Sequence, residues 1–277
     1  LSRDTNLVMT GSSSLDLQAD LTIASLSMSS GNSIATSTGT SSLVVSGTST
    51  LGGSVTTTGA QTYNGAVTLG ADVTLTASSI TTSSTITAGD HNLSLVTDGL
   101  ALGGNVTGGT GTLTIAPKTA ATTIGLGSGS NATGATLQLD DTELGRINVA
   151  SNYFASIVIG DATNGTGTIK YDTSADQHFH SALTLQSHNG AITTYQALDV
   201  SSSKNLTINT GGAVSLSTIN TANVLAVTGT GITLNGSVTT NGTQTYTGAV
   251  TLGADVVLTT SAASTSGDIT FSSTVEG

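Results

Sequence analysis

One long stretch of sequence occurs twice in this chain, almost unchanged. Residues 53–76 read GSVTTTGAQTYNGAVTLGADVTLT, and residues 236–259 read GSVTTNGTQTYTGAVTLGADVVLT. The copies differ at four positions, where small or short residues replace one another: Thr58/Asn241, Ala60/Thr243, Asn64/Thr247 and Thr74/Val257. Repetition at this level indicates one structural unit that is used more than once, as in solenoid proteins.

A third, more divergent copy lies between these two. Residues 177–185 (QHFHSALTL) align with residues 61–69 (QTYNGAVTL) and keep Gln, Ala, Thr and Leu. Phe179 replaces Tyr63, so we expect Phe179 to point into the core. The unit therefore tolerates changes at its surface around a fixed apolar frame.

Short segments that alternate apolar and polar residues occur along the chain, and turn residues separate them. Alternation allows a short strand to bury one face, and Asn-Gly pairs such as 64–65 and 235–236 suit turns that need positive φ. Asn-Gly between strands is also typical of antiparallel hairpins. Similar strand spacing and few aromatic residues instead favour a coil that stacks Val, Leu and Ile in columns.

These patterns predict an all-β fold, a parallel β-helix (β-solenoid), as one continuous segment over residues 1–277. At roughly 20 to 24 residues per coil, about 12 coils fit the chain. Helical periodicity is confined to residues 139–147, LDDTELGRI. There Asp141 is expected to cap a helical turn, with Leu144 and Ile147 facing a core.

Composition excludes several classes of protein. Hydrophobic residues make up 36% of the chain and mean hydropathy is +0.20, which is too apolar for a disordered segment. The net charge is -11 with only five Lys and Arg, so nucleic acid and anionic membrane surfaces are not expected partners. No apolar run approaches the roughly 20 residues that span a bilayer, so membrane insertion is not expected. There is no cysteine for disulfides or thiolate metal sites.

Several stretches resemble repeats in very large bacterial exoproteins of the filamentous haemagglutinin type. They are the two copies of QTYxGAVTLGADVxLT, the segment GDITFSSTVEG at 267–277, LTIAP at 113–117 and LDDTELGRI. The resemblance implies a right-handed parallel β-helix, secretion through an outer-membrane partner, and a place in an adhesin or surface filament. The opening LSRDTNLVMT lacks the features of a signal peptide, and we expect a piece or mature product of something longer.

The sharpest candidate for a metal site is Asp176, His178 and His180, with His188 further along the chain. On a strand, His178 and His180 point to the same side, and two imidazoles with a carboxylate can hold Zn²⁺. The third copy places these histidines where Thr62 and Asn64 stand in the first, at the solvent side. A solvated histidine pair is therefore the favoured interpretation, with no metal and no cofactor expected.

Acidic residues suggest further sites. Asp140, Asp141 and Glu143 could serve sugar hydrolysis or Ca²⁺ binding, with Tyr153 and Phe154 as an aromatic platform for a sugar. A helix cap with a Glu143–Arg146 ion pair explains the acidic cluster more simply. Asp72 and Asp255 recur in a GAD turn, where hydrogen bonds to the turn's own backbone are favoured over Ca²⁺ ligation.

The sequence therefore favours a non-enzymatic stalk or filament segment of a secreted bacterial surface adhesin. Copies could stack end to end into fibres, and a host-surface or matrix glycan is a further expected partner. Parallel β-helices also bind or cleave polysaccharides, which remains the main alternative. Ice binding is a lower alternative, because the Thr-x-Thr segments at 36–38, 48–50 and 56–58 are unequally spaced, and a flat array needs one register in every coil.

Overall fold

The computed structural model describes residues 3–175, 177–261 and 267–277. The chain is nearly all β, and its strands pair in parallel as the coils of a β-solenoid, about 13 turns in all. This confirms the predicted parallel β-helix. The chain divides into two compact units, Leu1–Lys118 with Gly145–Ala155, and Thr119–Leu144 with Ser156–Gly277; whether they form one continuous solenoid stays a prediction. Among the described residues, no helix is long and apolar enough to cross a membrane.

The first unit contains only short strands. They are β1 (Asn6–Met9), β2 (Ser14–Asp16), β3 (Leu21–Ile23), β4 (Ser25–Met28), β5 (Ser33–Ala35), β6 (Leu43–Val45), β7 (Ser49–Leu51), β8 (Val55–Thr56), β9 (Gln61–Tyr63), β10 (Val67–Leu69), β11 (Val73–Thr76), β12 (Ile80–Thr82), β13 (Ile86–Thr87), β14 (Leu93–Val96), β15 (Leu100–Leu102), β16 (Val106–Thr107) and β17 (Thr112–Ala116).

The coils of the first unit contribute their strands in turn to three parallel sheets. The strand order is β1-β4-β7-β10-β13-β16 in one sheet and β3-β6-β9-β12-β15 in the second, and the remaining strands pair from β2 to β5 and onward to β17. The register sets the length of each coil. A long coil runs from Leu26 to its partner Ser49, and a short one runs from Ser49 to its partner Val67. The short coil falls below the predicted length.

Equivalent residues stack in columns because the strands are parallel and in register. One interior column of the first unit consists of Leu26, Ser49, Val67, Ile86 and Val106, all of them buried. The neighbouring outward column consists of Ser27, Thr50, Thr68, Thr87 and Thr107. Aliphatic burial at about 25 cal/mol per Å² drives this arrangement, and hydroxyl groups take the solvent side as predicted.

Gln61 is a polar member of an otherwise aliphatic interior column. It stacks between Leu43 and Ile80 and is fully buried. Its Nε2 donates to the carbonyl oxygens of Val55 and Thr76, both at 2.9 Å. The Tyr63 hydroxyl donates to Gln61 Oε1 at 3.1 Å, and burial raises the pKa of that tyrosine. Both amide protons and the amide oxygen of this glutamine are therefore used inside the coil.

The second unit holds the remaining strands, and the helix begins within it. The elements are β18 (Ile124–Leu126), β19 (Leu137–Leu139), α1 (Asp141–Ile147), β20 (Ser156–Asp161), β21 (Ile169–Tyr171), β22 (His178–Phe179), β23 (Ala182–Ser187), β24 (Ile192–Thr194), β25 (Leu198–Val200), β26 (Leu206–Thr210), β27 (Val214–Leu216), β28 (Ile219–Thr221), β29 (Leu225–Leu234), β30 (Val238–Thr240), β31 (Gln244–Leu252), β32 (Leu258–Thr260), β33 (Ile269–Phe271) and β34 (Val275–Glu276).

Two long strands distinguish the second unit. The first half of β29 pairs with β26 and its second half pairs with β27, so this one long strand stacks on two separate, shorter strands. The next coil repeats this with β31, which pairs with β29 along its length. Coil length varies here as well, from a short coil between Leu206 and Leu225 to a long one between Ile157 and Leu183. Strands β22, β25, β28, β30 and β32 form the neighbouring sheet.

A buried carboxylate anchors the loop between β18 and β19. Asp172 accepts hydrogen bonds from the backbone N–H and the Nδ2 of Asn131, both at 2.9 Å, and from Gln196 Nε2. Burial alone would raise the pKa of Asp172, but these hydrogen bonds outweigh it and lower the pKa. All three partners donate protons, so they hold the carboxylate as an anion and fix the loop.

Candidate functional site

The strands β22 and β25 place three polar side chains together on the outside of the second unit. The strands are parallel neighbours, with His178 opposite Asp199 and Phe179 opposite Val200. Phe179 and Val200 are fully buried, which confirms that Phe179 takes the core position of Tyr63. Because side chains alternate along a strand, His178 and Asp199 point outward, and Ser201 follows on the same side as Asp199.

His178 bridges an acid and a hydroxyl. Its Nδ1 lies 2.9 Å from Asp199 Oδ2, and its Nε2 lies 3.2 Å from Ser201 Oγ. An ionised carboxylate only accepts hydrogen bonds, so the proton of a neutral imidazole is on Nδ1 and the lone pair is on Nε2. The Ser201 hydroxyl therefore donates to His178. This is the arrangement in which a histidine can remove a proton from a serine.

The side chains of this cluster are accessible to solvent. The side chain of His178 is 42% exposed and that of Asp199 is 31% exposed, and Ser201 is half-buried. His180 packs the edge of its ring against His178, with ring centroids 4.9 Å apart and an angle of 73° between the planes. Backbone pairing joins the two chain segments that carry the cluster, since Ser201 N donates to the Phe179 carbonyl at 2.8 Å.

The described histidines of the predicted metal site have other partners in the structure. His178 directs its ring nitrogens at Asp199 and Ser201, and His188 Nδ1 contacts the carbonyl of Ala162 at 3.3 Å. Asp176 lies outside the described residues. Across ranges 3–175, 177–261 and 267–277, no group of three or more His, Cys, Asp or Glu side chains could hold a metal ion.

The acidic cluster near residue 140 forms a helix cap, but the capping residue is Asp140 and not Asp141. Asp140 Oδ1 accepts from the N–H of Glu143 at 2.8 Å, and Glu143 Oε2 accepts from the N–H of Asp140 at 3.1 Å, a reciprocal capping box. The helix begins at Asp141, so the residue before it is the cap. Leu144 and Ile147 are buried as predicted.

The other members of that cluster have separate partners. Asp141 accepts from the backbone N–H of Ser128 at 3.2 Å and from that of Ser174 at 3.1 Å. Arg146 donates to the Leu102 carbonyl, and its ion pair with Glu143 stays a prediction. Phe154 is fully buried, and a Cβ on Gly108 would lie 2.5 Å from its ring. Phe154 therefore cannot serve as a platform for a sugar.

The prediction for Asp72 was wrong about its partner. Asp72 Oδ1 accepts from the backbone N–H of Asn92 at 2.9 Å, and Oδ2 accepts from Asn92 Nδ2 at 2.8 Å. These donors belong to the next coil and not to the turn that contains Asp72. Asn92 Oδ1 in turn accepts from the N–H of Thr112 at 2.8 Å. Stacked coils bring equivalent turns together, so turn side chains bond between coils.

Sequence analysis missed Asp199 and Ser201 as partners of His178. Both lie one coil further along the chain, where β25 stacks on β22. A search for acids and hydroxyls one coil away from His178 would have found them. Comparison of this chain with protein-family models, with curated proteins and with solved structures found no match.

Proposed function

We propose that this chain is a non-enzymatic structural segment, a stalk or filament portion, of a secreted bacterial surface adhesin. The coil-to-coil register in each unit supports this proposal, because every coil is bonded to the next by parallel backbone ladders. Stability in such a fold grows by stacking coils, and a stiff, protease-resistant spacer needs no reactive residue. The resemblance to filamentous haemagglutinin repeats supports the surface location.

We propose that end-to-end association uses the apolar residues of the last described coil. Ile269, at the start of β33, is 36% exposed and Val275 of β34 is 46% exposed. Ile269 is in register with the buried Gln244 of β31, so it occupies an interior column. An exposed strand edge over an apolar surface can pair with a second copy of the chain.

Replacing both residues by lysine tests this association. We expect the unmodified chain to form larger species as its concentration rises, and Ile269→Lys with Val275→Lys to remain monomeric in sedimentation velocity. Tyr195→Lys is the matched control, since Tyr195 is 40% exposed but lies outside this edge. A wild-type chain that stays monomeric at high concentration would remove the fibre proposal while leaving the stalk role open.

A second candidate is ice binding, which one observation favours. Thr50, Thr68, Thr87 and Thr107 occupy one outward column in consecutive coils. The unequal spacing of the Thr-x-Thr segments concealed this column, because successive coils differ in length. A regular row of hydroxyl and methyl groups is the arrangement that could order water.

One set of assays separates the candidate functions. A scaffold predicts no saturable binding on a glycan array, no cleavage in a polysaccharide lyase assay and no thermal hysteresis. Saturable glycan binding would favour a binding module, while a shortened polysaccharide product would favour a lyase. Thermal hysteresis that is lost in Thr68→Tyr would favour ice binding. Any of these three results would overturn the purely structural role.

A further inference from the structure

Ser201, His178 and Asp199 form a cluster that the stalk role does not use. In a scaffold, a column of outward residues only has to keep the protein soluble. Threonine or serine is sufficient for this, without a base as its partner. Here a carboxylate, an imidazole and a hydroxyl are hydrogen bonded in series, at 2.9 Å and 3.2 Å. The order acid, base, hydroxyl is the one that activates a serine nucleophile.

We propose that Ser201 is an acyl-acceptor site, which takes acyl groups from small activated esters or thioesters with His178 as its general base. This inference goes beyond the proposed structural role and does not depend on it. Asp199 acts as a positioning residue, because its carboxylate holds the Nδ1 proton and leaves the Nε2 lone pair directed at Ser201.

The acylation step balances within these groups and the donor. Ser201 Oγ forms a bond to the carbonyl carbon as its proton passes to His178 Nε2. The tetrahedral adduct then expels the alcohol, phenol or thiol, which takes the proton from His178. A water molecule can then release the acyl group: it attacks the acyl carbon as its proton passes to His178 Nε2, and the adduct expels Ser201 Oγ, which takes that proton, leaving a free carboxylic acid.

The exposure of the cluster determines the class of donor. His178 and Asp199 are accessible from solvent, with side chains 42% and 31% exposed, so a small donor can approach Ser201. A positioned general base contributes about 10²- to 10⁴-fold to such a transfer. An activated leaving group is required, because the cluster lies on an outer strand face where water is not excluded. The expected outcome is therefore acylation of one serine, Ser201, by a small donor with an activated leaving group.

The test uses the whole chain and p-nitrophenyl acetate as the probe. We expect a burst of about one nitrophenolate per chain, and an acetyl group located on Ser201 by peptide mass spectrometry. Ser201→Ala should abolish the burst, and His178→Ala should slow it about 10²-fold, with partial recovery when imidazole is added. Ser215→Ala is the matched control, since Ser215 is another outward serine of the second unit whose Oγ accepts from Asn235 Nδ2.

Asp199 is tested by two substitutions. Asp199→Asn should slow acetylation, because an amide can donate to Nδ1 and shift the imidazole proton to Nε2. Asp199→Glu keeps the carboxylate and should recover part of the rate, which a purely structural role would not require. Circular dichroism establishes that each variant keeps its β structure.

Three outcomes would overturn the proposal. A burst that survives in Ser201→Ala would assign the acyl group to an imidazole. Acetyl groups spread over several serines and lysines, at rates unchanged in His178→Ala, would show that no serine is activated. A burst equally reduced in Ser215→Ala would attribute the effect to the fold and not to this cluster.

Discussion

The two copies of the repeated unit build the same buried network in different surroundings. In the second copy, Gln244 Nε2 donates to the carbonyl oxygens of Val238 at 3.3 Å and Thr259 at 2.8 Å. The Tyr246 hydroxyl donates to Gln244 Oε1 at 2.9 Å. These partners are equivalent, position by position, to those of Gln61 and Tyr63. A network of this kind is therefore specified within the repeated unit itself.

The backbone path differs between the copies. In the first copy, β9 ends at Tyr63 and β10 begins at Val67, whereas in the second the equivalent residues form one strand, β31. Gly65 closely approaches the backbone of Gly47, and a Cβ there would lie 2.4 Å from it. Gly248, its counterpart, has φ of 140°. In the first copy the unit stacks on two separate strands, β6 and β7, and in the second copy it stacks on one continuous strand, β29. The unit therefore bends where the neighbouring coil is broken and forms one strand where the neighbouring coil is continuous.

Burial of the later part of the unit also differs. Val73 and Leu75 are buried in the first copy, where β14 covers β11. Their equivalents in the second copy, Val256 and Leu258, are half-buried. Identical apolar residues thus contribute according to the coil that stacks on them, which is the behaviour of a fold stabilised by nearest-neighbour contacts.

The largest expected effect comes from truncating the equivalent leucines. Leu75→Ala should cost about 2–5 kcal/mol, because it removes a buried side chain and leaves a cavity. Leu258→Ala should cost clearly less, because Leu258 already contacts solvent. Urea unfolding measures the total loss, and amide hydrogen exchange in the flanking strands measures the local loss.

Val257→Thr is the control for this pair. Val257 is 64% exposed and its counterpart in the first copy is Thr74, so this change should alter stability by no more than about 0.5 kcal/mol. Equal losses for the two leucine variants would contradict the nearest-neighbour interpretation.

An intermediate effect is expected from the glutamine–tyrosine pairs. Gln61→Leu should cost about 1–3 kcal/mol, because the carbonyl groups of Val55 and Thr76 and the hydroxyl of Tyr63 lose their partner. Tyr63→Phe should cost about 0.5–1.5 kcal/mol. A double-mutant cycle on the two residues should give a coupling of about 0.5–3 kcal/mol.

The same cycle on Gln244 and Tyr246 sharpens the comparison. The hydrogen bonds are equivalent in the two copies, so the coupling energies should agree even though the total losses differ. Tyr246 also stacks on Phe271, with ring centroids 5.1 Å apart, and Tyr246→Phe preserves that stacking. A coupling present in one copy and absent in the other would show that the network depends on its surroundings.

Much of the fold could be predicted from sequence because its signals are local. Alternation of apolar and polar residues located the strands, and the third copy correctly placed Phe179 inside and His178 outside. The buried state of Gln61 was not predicted, although Gln and Tyr two positions apart point to the same face of a strand. A polar residue in a core column is recognisable only once its hydrogen-bond partners are known.

The candidate site was predicted poorly because its contacts run between coils. His178 was identified as a possible ligand, but its partners Asp199 and Ser201 depend on the register between β22 and β25. Coils differ in length along the chain, so that register cannot be read off a fixed period. The same reason explains why the partner of Asp72 was sought in its own turn and lies in the next coil.

The smallest expected effect concerns Asp72 and Asp255, the equivalent carboxylates of the two copies. Hydrogen bonds from the backbone N–H and side chain of Asn92 lower the pKa of Asp72, with His91 Nδ1 a further 3.8 Å neighbour of its carboxylate. A lowered pKa in the folded state stabilises the protein at pH values above the unfolded pKa of about 3.9. This contribution is lost as pH falls through the folded pKa.

Asp72→Ala should therefore reduce stability near pH 7, and the difference from the unmodified chain should shrink as pH falls from the unfolded pKa of about 3.9 through the lower pKa of the folded state. Asp72 is exposed at the surface, so the effect is expected to be small and to be resolved best by thermal melting across a pH series. Asp255→Ala is the matched variant and should have the weaker effect, because Asp255 is exposed on a coil whose apolar residues are only half-buried. A loss in Asp72→Ala that persists undiminished at acidic pH would show that packing of the side chain, and not its charge, joins the two coils at this turn.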